Sequence, residues 1–122
     1  MKILIPTSPG ELIDKITILE IKKTKFTEEP TKLTNVVAEL EELSSVVIPN
    51  SDHIKILRRQ LSKINKHLWN IEDEIRACED NQDFGSQFIH LARQVYQTND
   101  ERARVKRRIN ETLASDLIEE KS

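Results

Sequence analysis

Glycine, cysteine and aromatic residues are scarce in this sequence of 122 residues. The single cysteine, Cys78, cannot form a disulfide within one chain, and its place among apolar residues favours a small buried hydrophobe over a catalytic thiol. The apolar start Met1–Pro6 is too short for a signal peptide or a membrane span. We therefore expect a reducing, cytoplasmic setting.

A large net charge is also lacking, since the formal charge is −2. A chain this close to neutral is not a general nucleic-acid or membrane binder. Hydrophobic residues make up only 37%, whereas charged residues reach 33%, a composition typical of long, partly exposed helices. The length predicts a single domain, residues 1–122. A bundle this thin would bury more surface as a homodimer, and we expect homodimerisation or a protein partner.

The longest regular pattern lies between Asp52 and Glu79. Apolar residues recur there at steps of three and four, at Ile54, Leu57, Leu61, Ile64, Leu68, Ile71, Ile75 and Cys78. A repeat of about 3.5 residues keeps such a stripe on one face of a helix. The pattern predicts a central helix roughly 40 Å long, with Ser51 as its N-cap and the other helices packed around it.

Three further helices are predicted around this one. Ser8, Pro9 and Glu11 fit the N-cap, first position and capping-box acid of a first helix that runs to Phe26. The second and last helices are expected over residues 31–47 and 84–114. Residues 1–7 form an edge strand or an extended arm, and residues 115–122 a tail that is frayed or docked. The predicted fold is all-α, an antiparallel bundle of about four helices.

The apolar stripe of the last helix is interrupted for about two turns. Thr98, Asn99 and Arg102 stand at its positions, followed by Val105 beside Lys106. Burying such groups unpaired would cost several kcal/mol. They must therefore be paired, hydrated or used.

The central helix carries matching polar residues beside its stripe, namely Arg58, Ser62, Asn65, Trp69, Glu72 and Arg76. In an antiparallel hairpin that turns near Gln82, residues whose numbers sum to about 164 lie opposite each other. Asn65 is then expected to face Asn99. Glu72 and Glu20 are the carboxylates predicted nearest to Arg102, with Arg76 and Lys106 at the two ends of the cavity.

These positions define a candidate site with two interpretations. As a ligand site, its binding residues would be Asn65, Trp69, Arg76, Asn99, Arg102 and Lys106, and its acid or base Glu20 or Glu72. The arginine fork suits a carboxylate or phosphate. As a structural cluster, Trp69 is a core aromatic, Asn99 sets the register and Arg102 belongs to a buried ion pair.

Other chemical motifs are lacking. His53, His67 and His90 are scattered and form no metal-binding pair, and no Gly-rich phosphate loop occurs, so we expect no metal and no cofactor. The basic run from Arg102 to Arg108 points all round its helix, which argues against a single nucleic-acid face.

Three stretches, Ser8–Lys22, Leu68–Arg76 and Thr98–Asn110, carry a resemblance that covers nearly the whole chain. Together they resemble a family of small proteins of unknown function from bacteria and their phages, which would place a phage-encoded copy in the host cytoplasm. The Leu-Trp-x-x-Glu-Asp and Asn-Asp-x-Arg-x-x-x-Lys pieces are also similar to a second uncharacterised helical family that tends to accompany glycosyltransferases and surface-polysaccharide genes. The resemblance implies that a shared pattern includes Trp69, Glu72, Asp73, Arg76, Asn99, Asp100, Arg102 and Lys106. It implies no activity.

Two functions therefore remain open. The first is an interaction or structural module whose buried polar cluster sets register or partner choice. The second is a protein that binds a small anionic ligand, or a small helical enzyme, with a link to surface-polysaccharide metabolism. The sequence leaves open whether the protein is an enzyme.

Overall fold

The computed structural model describes residues 1–121, and Ser122, the end of the predicted tail, lies outside the described residues. It contains the helices α1 (Pro9–Lys25), α2 (Pro30–Ser44), α3 (Asp52–Asp80) and α4 (Ser86–Thr112). Residues 1–121 include no strand, and the chain before α1 has no regular secondary structure. The predicted all-α fold with a long third helix and a short N-terminal arm is confirmed.

The helix starts follow the predicted capping residues. Ser8 Oγ accepts the Glu11 N–H at 3.2 Å, and Ser51 Oγ accepts the Ile54 N–H at 3.3 Å. The ends differ by a few residues from the predictions. α2 stops at Ser44 rather than Val47, because Val47 is 95% exposed and finds no packing that would support another turn.

Helices α1, α3 and α4 form the bundle, and α2 lies outside it. α3 and α4 pack as an antiparallel hairpin, α1 contacts both of them, and α2 contacts α1 alone among the helices. Where α1 begins, the core consists of Ile13, Ile54, Leu57, Leu61, Val105 and Ile109. Near the α3–α4 turn it consists of Ile71, Cys78 and Leu91. The predicted apolar stripe of α3 thus faces the core, and Cys78 is buried as a small hydrophobe.

The two longest helices end in the same way. Gln82 after α3 and Ala114 after α4 adopt left-handed backbone conformations, with φ of 53° and 51°. The next N–H in each case, that of Asp83 or Ser115, donates to a carbonyl five residues back at 2.8 Å, as in a Schellman motif. After Ala114 the tail returns along α4. None of the helices in the described part of the chain is long and apolar enough to cross a membrane.

Candidate functional site

The polar interruption of α4 meets a buried carboxylate on α1. Asp14 is 0% exposed. Its Oδ1 accepts hydrogen bonds from Asn65 Nδ2 and Arg102 Nε, each at 2.9 Å, and its Oδ2 accepts from Arg102 Nη2. One carboxylate therefore binds α1 to both α3 and α4, with a two-bond guanidinium contact on one side.

Lys106 lies one turn beyond Arg102, so both side chains point to the same face of α4. Its side chain is only 8% exposed, and its Nζ lies 2.8 Å from Glu11 Oε2, 2.8 Å from Glu119 Oε2 and 3.9 Å from Asp14 Oδ2. Three carboxylates thus surround one ammonium group.

The surrounding carboxylates favour the charged forms of Arg102 and Lys106. The Asp14 hydrogen bond raises the pKa of Arg102 against the effect of partial burial. For Lys106, burial by itself lowers the pKa, but the contacts with Glu11 and Glu119 outweigh it, so the pKa is raised.

Hydroxyl and amide groups complete the contacts. Asn65 Nδ2 also donates to Thr17 Oγ1 at 2.9 Å, and the Thr17 hydroxyl donates to the Asp14 carbonyl at 2.8 Å. We call Glu11, Asp14, Thr17, Asn65, Arg102 and Lys106 the Asp14 network. Within residues 1–121, no buried side-chain nitrogen or oxygen lacks a hydrogen-bond partner. The expectation that the polar residues of the α4 stripe are paired is met for Arg102 and Lys106.

The structure brings together half of the predicted ligand-binding residues. Asn65, Arg102 and Lys106 belong to the Asp14 network. Asn99 is half-buried, and together with Arg102 and Lys106 it lines a pocket of about 250 Å³ between α4 and the tail. We call this space the tail pocket. Its other lining residues are Val95, Tyr96, Ala103, Glu119 and Lys121.

The remaining predicted residues lie elsewhere. Glu20 pairs with Arg58 at 2.8 Å on the exposed side of α1, where the two residues line grooves of about 460 and 490 Å³. Trp69 packs edge-on against Phe26, with ring centroids 6.2 Å apart. Glu72 and Arg76 are exposed and lie 3.9 Å from each other.

Two geometric predictions are therefore wrong. The carboxylate nearest to Arg102 is neither Glu72 nor Glu20 but Asp14, because the polar stretch of α4 faces α1 as well as α3. Arg76 does not close a cavity, since its side chain is 73% exposed. The binding and catalytic roles given to these residues stay predictions.

Sequence reasoning missed the acidic half of the network. The signal was the pair Glu11-x-x-Asp14, with Asp14 between Ile18 and Ile21 on the helical wheel, on a second apolar side of α1. The sequence predicts a capping-box role for the Glu11 side chain, but only the Glu11 backbone N–H takes part in the cap, donating to Ser8 Oγ. Its carboxylate binds Lys106 instead. A charged residue inside an apolar arc would have predicted a buried partner.

Among residues 1–121, no three His, Cys, Asp or Glu side chains are placed to hold a metal ion. Comparison with known proteins identifies the family. Residues 1–122 match the family described as "Family of unknown function (DUF6165)", so the chain belongs to this family. No curated protein and no solved structure matches the chain.

Proposed function

We propose that this member of the DUF6165 family is a helical interaction module whose N-terminal arm binds a second copy of the chain. The observation that carries the proposal is the exposure of three successive apolar residues of the arm. Ile3, Leu4 and Ile5 are 74%, 86% and 75% exposed. They precede a helical bundle in which the buried polar side chains of the described residues all have hydrogen-bond partners. Apolar side chains in one exposed group are typical of interaction surfaces.

The Asp14 network supplies the fixed support that such a module needs. A buried ion pair adds little net stability compared with apolar residues, but it disfavours every alignment that leaves its charges unpaired. Sliding α1 by one turn would separate Asp14 from Arg102 and Asn65 together. The network therefore favours one register of α1 against α3 and α4, as buried polar residues do in helical seams.

The arm also offers its backbone to a partner. No backbone–backbone hydrogen bond in the described chain involves residues 1–7. An antiparallel pair of arms around a two-fold axis at Leu4, with each Leu4 opposite its copy, would satisfy about half of these groups and place the two Lys2 side chains at opposite ends. The Lys2–Glu42 ion pair holds the arm beside the end of α2, where Val46 and Val47 are 52% and 95% exposed. These valines extend the same apolar surface.

Sedimentation velocity tests this proposal directly. We expect the native protein to sediment as a dimer and Leu4→Asp as a monomer, because a charge would be placed in the paired arm. The matched control is Ile89→Asp, at a residue 56% exposed near the α3–α4 turn, at the other end of the bundle. It should leave the dimer unchanged. A native protein that is monomeric over the whole concentration series contradicts the proposal.

A second candidate function is the binding of a small anion in the tail pocket. The observation that favours it is that Asn99, Arg102 and Lys106, three residues selected from the sequence alone, line one pocket. Arg102 uses Nε and Nη2 for Asp14, while its Nη1 contacts no carboxylate in residues 1–121. By the resemblance to a family that accompanies polysaccharide genes, phosphosugars are the first compounds to screen.

NMR titration distinguishes this candidate from the first. Added ligand should shift the Asn99 side-chain and Arg102 Nε signals, and Asn99→Ala should weaken binding without loss of stability, because Asn99 makes no hydrogen bond to the Asp14 network. Shifts confined to exposed lysines would rule out the tail pocket as the binding site.

A further inference from the structure

We infer that the carboxylate of Glu119 occupies the position of a small anionic ligand, so that the tail is a displaceable internal occupant of the tail pocket. The inference rests on the second candidate function. It adds the chemical class of the ligand, a carboxylate or phosphate group, and a means by which the site is closed.

The surroundings of Lys106 show which of its contacts can be exchanged. Glu11 and Asp14 are fixed by helix α1, and Asp14 is fully buried. Glu119 belongs instead to the non-helical tail, and its side chain is 53% exposed while it lies 2.8 Å from Lys106 Nζ. An ion pair with one partner open to water is weak and readily exchanged for another anion. Loss of Glu119 would leave Lys106 with its two α1 carboxylates.

The tail is attached in a way that permits release. It turns back at Ala114, and its apolar residues Leu117 and Ile118 remain 44% and 42% exposed, so they add little packing. Beyond Glu119, Glu120 lies 3.7 Å from Arg107 and Lys121 lies 3.5 Å from Asp100. These outer pairs are exposed, and water and salt screen them. The free energy that opposes release of the tail is therefore modest, on the order of the 1.4 kcal/mol that corresponds to a tenfold change in binding.

The tail pocket has the chemistry of a site for a small anion. Lys106 contributes a buried positive charge, and Arg102 contributes its remaining Nη1 group. Asn99 contributes an amide that can donate or accept hydrogen bonds. Val95 and Tyr96 form an apolar side. At about 250 Å³ the pocket holds only a small molecule, such as a phosphate ester or a short dicarboxylate.

A tethered carboxylate competes strongly with free ligand. A short flexible segment presents its group at an effective concentration on the order of millimolar, so a free anion must reach a similar concentration to displace it. Removing the Glu119 charge should therefore tighten anion binding about tenfold or more. The same change at Glu120 removes an equal charge from the same segment but leaves Lys106 untouched.

Isothermal titration with inorganic phosphate and, separately, with succinate tests the inference on the full chain. The proteins compared are native, Glu119→Gln and Glu120→Gln. We expect Glu119→Gln to bind at least one probe about tenfold more tightly than native, and Glu120→Gln to match native. Which probe binds more tightly tells a phosphate site from a carboxylate site. In native protein, the probe should also shift the backbone amide NMR signals of Leu117 and Ile118, which reports tail release.

The remaining outcomes overturn the inference in distinguishable ways. Equal affinity in all three proteins, lost in Asn99→Ala, keeps the anion site and rejects the tail as its occupant. The absence of binding to any of the three rejects both the inference and the second candidate function. A similar gain in Glu119→Gln and Glu120→Gln would assign the effect to net charge alone and would equally reject the inference.

Discussion

Asp14 determines how the polar part of the bundle is built, because an isolated buried carboxylate would be far less stable than a hydrated one. Its oxygens accept hydrogen bonds from two other helices, and Lys106 Nζ lies 3.9 Å away. Arg102 and Lys106 bring more positive charge than Asp14 can balance, and Glu11 supplies a second carboxylate for Lys106. The polar interruption of α4 is thus one half of a cluster whose other half lies on α1.

Replacing Asp14 by Asn tests this arrangement with a side chain of nearly the same shape. The new amide would turn a donor toward Arg102 or Asn65, both of which donate, and Arg102 would lose its carboxylate. We expect the free energy of unfolding to fall by about 3–5 kcal/mol, measured by urea denaturation. Asp73→Asn, at an exposed position 3.9 Å from Arg76, is the control and should change it by less than about 0.5 kcal/mol. Equal losses in the two variants would contradict a special role for Asp14.

The raised pKa of Lys106 predicts how stability depends on alkaline pH. Because the folded-state pKa lies above the unfolded value, the native state binds more protons than the unfolded state at high pH. The resulting stability is complete below about pH 10.4 and is lost as the pH rises through the folded-state pKa. Urea denaturation from pH 8 to about 11.5 should show this loss in native protein and less of it in Lys106→Met. Lys15→Met, which removes an exposed charge from α1, should keep the native slope.

At the scale of elements, the start of α1 packs unusually close to the end of α4. The Gly10 N–H donates to Asn110 Oδ1 at 2.7 Å. A Cβ on Gly10 would lie 2.6 Å from the Lys106 carbonyl oxygen and 2.9 Å from Asn110 Oδ1. One of these atoms is backbone and cannot move without shifting α4. The absence of a side chain at Gly10 is therefore what lets the two helices meet here.

Gly10→Ala should force these helices apart. Alanine is ordinarily the better helix former, so propensity alone predicts a gain in stability. We expect instead a loss of about 1–3 kcal/mol, because the clash involves backbone. Gly85→Ala is the matched control, since its Cβ would meet only Asp83 Oδ1, at 3.3 Å. A melting temperature that rises in Gly10→Ala would show that the helices can separate there at no cost.

Helix α2 is the element that we expect to open first. It contacts α1 alone among the helices, and Val36 is its only buried residue. Regions with few buried contacts exchange their amide protons through local opening rather than global unfolding. Hydrogen exchange followed by NMR should therefore show lower protection in α2 than around Leu61 and Leu68 in α3, both of which are buried. Equal protection in α2 and α3 would mean that the four helices unfold as one unit.

The helices were predictable because local rules determine them. Ser8 and Ser51 cap their helices as expected, and the regular stripe of α3 matches the buried face, so both signals could be read without tertiary information. The network was predictable only on the α3–α4 side. The pairing of Asp14 with Arg102 spans 88 residues and depends on how α1 sits against the hairpin, which a helical period does not specify. The sequence predicts that the Glu11 carboxylate completes the capping box of α1, whereas in the structure this carboxylate binds Lys106.

For the whole molecule, the arrangement separates a fixed part from accessible parts. Charges that could misalign the helices are paired inside, while apolar side chains of the arm and the end of α2 remain outside at one end of the bundle. The tail returns from that end along α4 and covers the tail pocket with Glu119. The proposed self-association through the arm and the proposed anion binding at the tail pocket would therefore use different surfaces, and a variant can test one without altering the other.

Self-association makes a thermodynamic prediction for the intact protein. If the arm joins two copies, unfolding releases two chains, and the melting temperature must rise with protein concentration. A tenfold increase in concentration stabilises a dimer by about 1.4 kcal/mol, which corresponds to a few degrees for a molecule of this size. Scanning calorimetry over two decades of concentration should show this rise for native protein and for Glu119→Gln, whose change lies at the tail pocket. Leu4→Asp should melt at the same temperature at every concentration, because the unfolding of a monomer does not depend on protein concentration. A native melting temperature independent of concentration would rule out self-association through the arm.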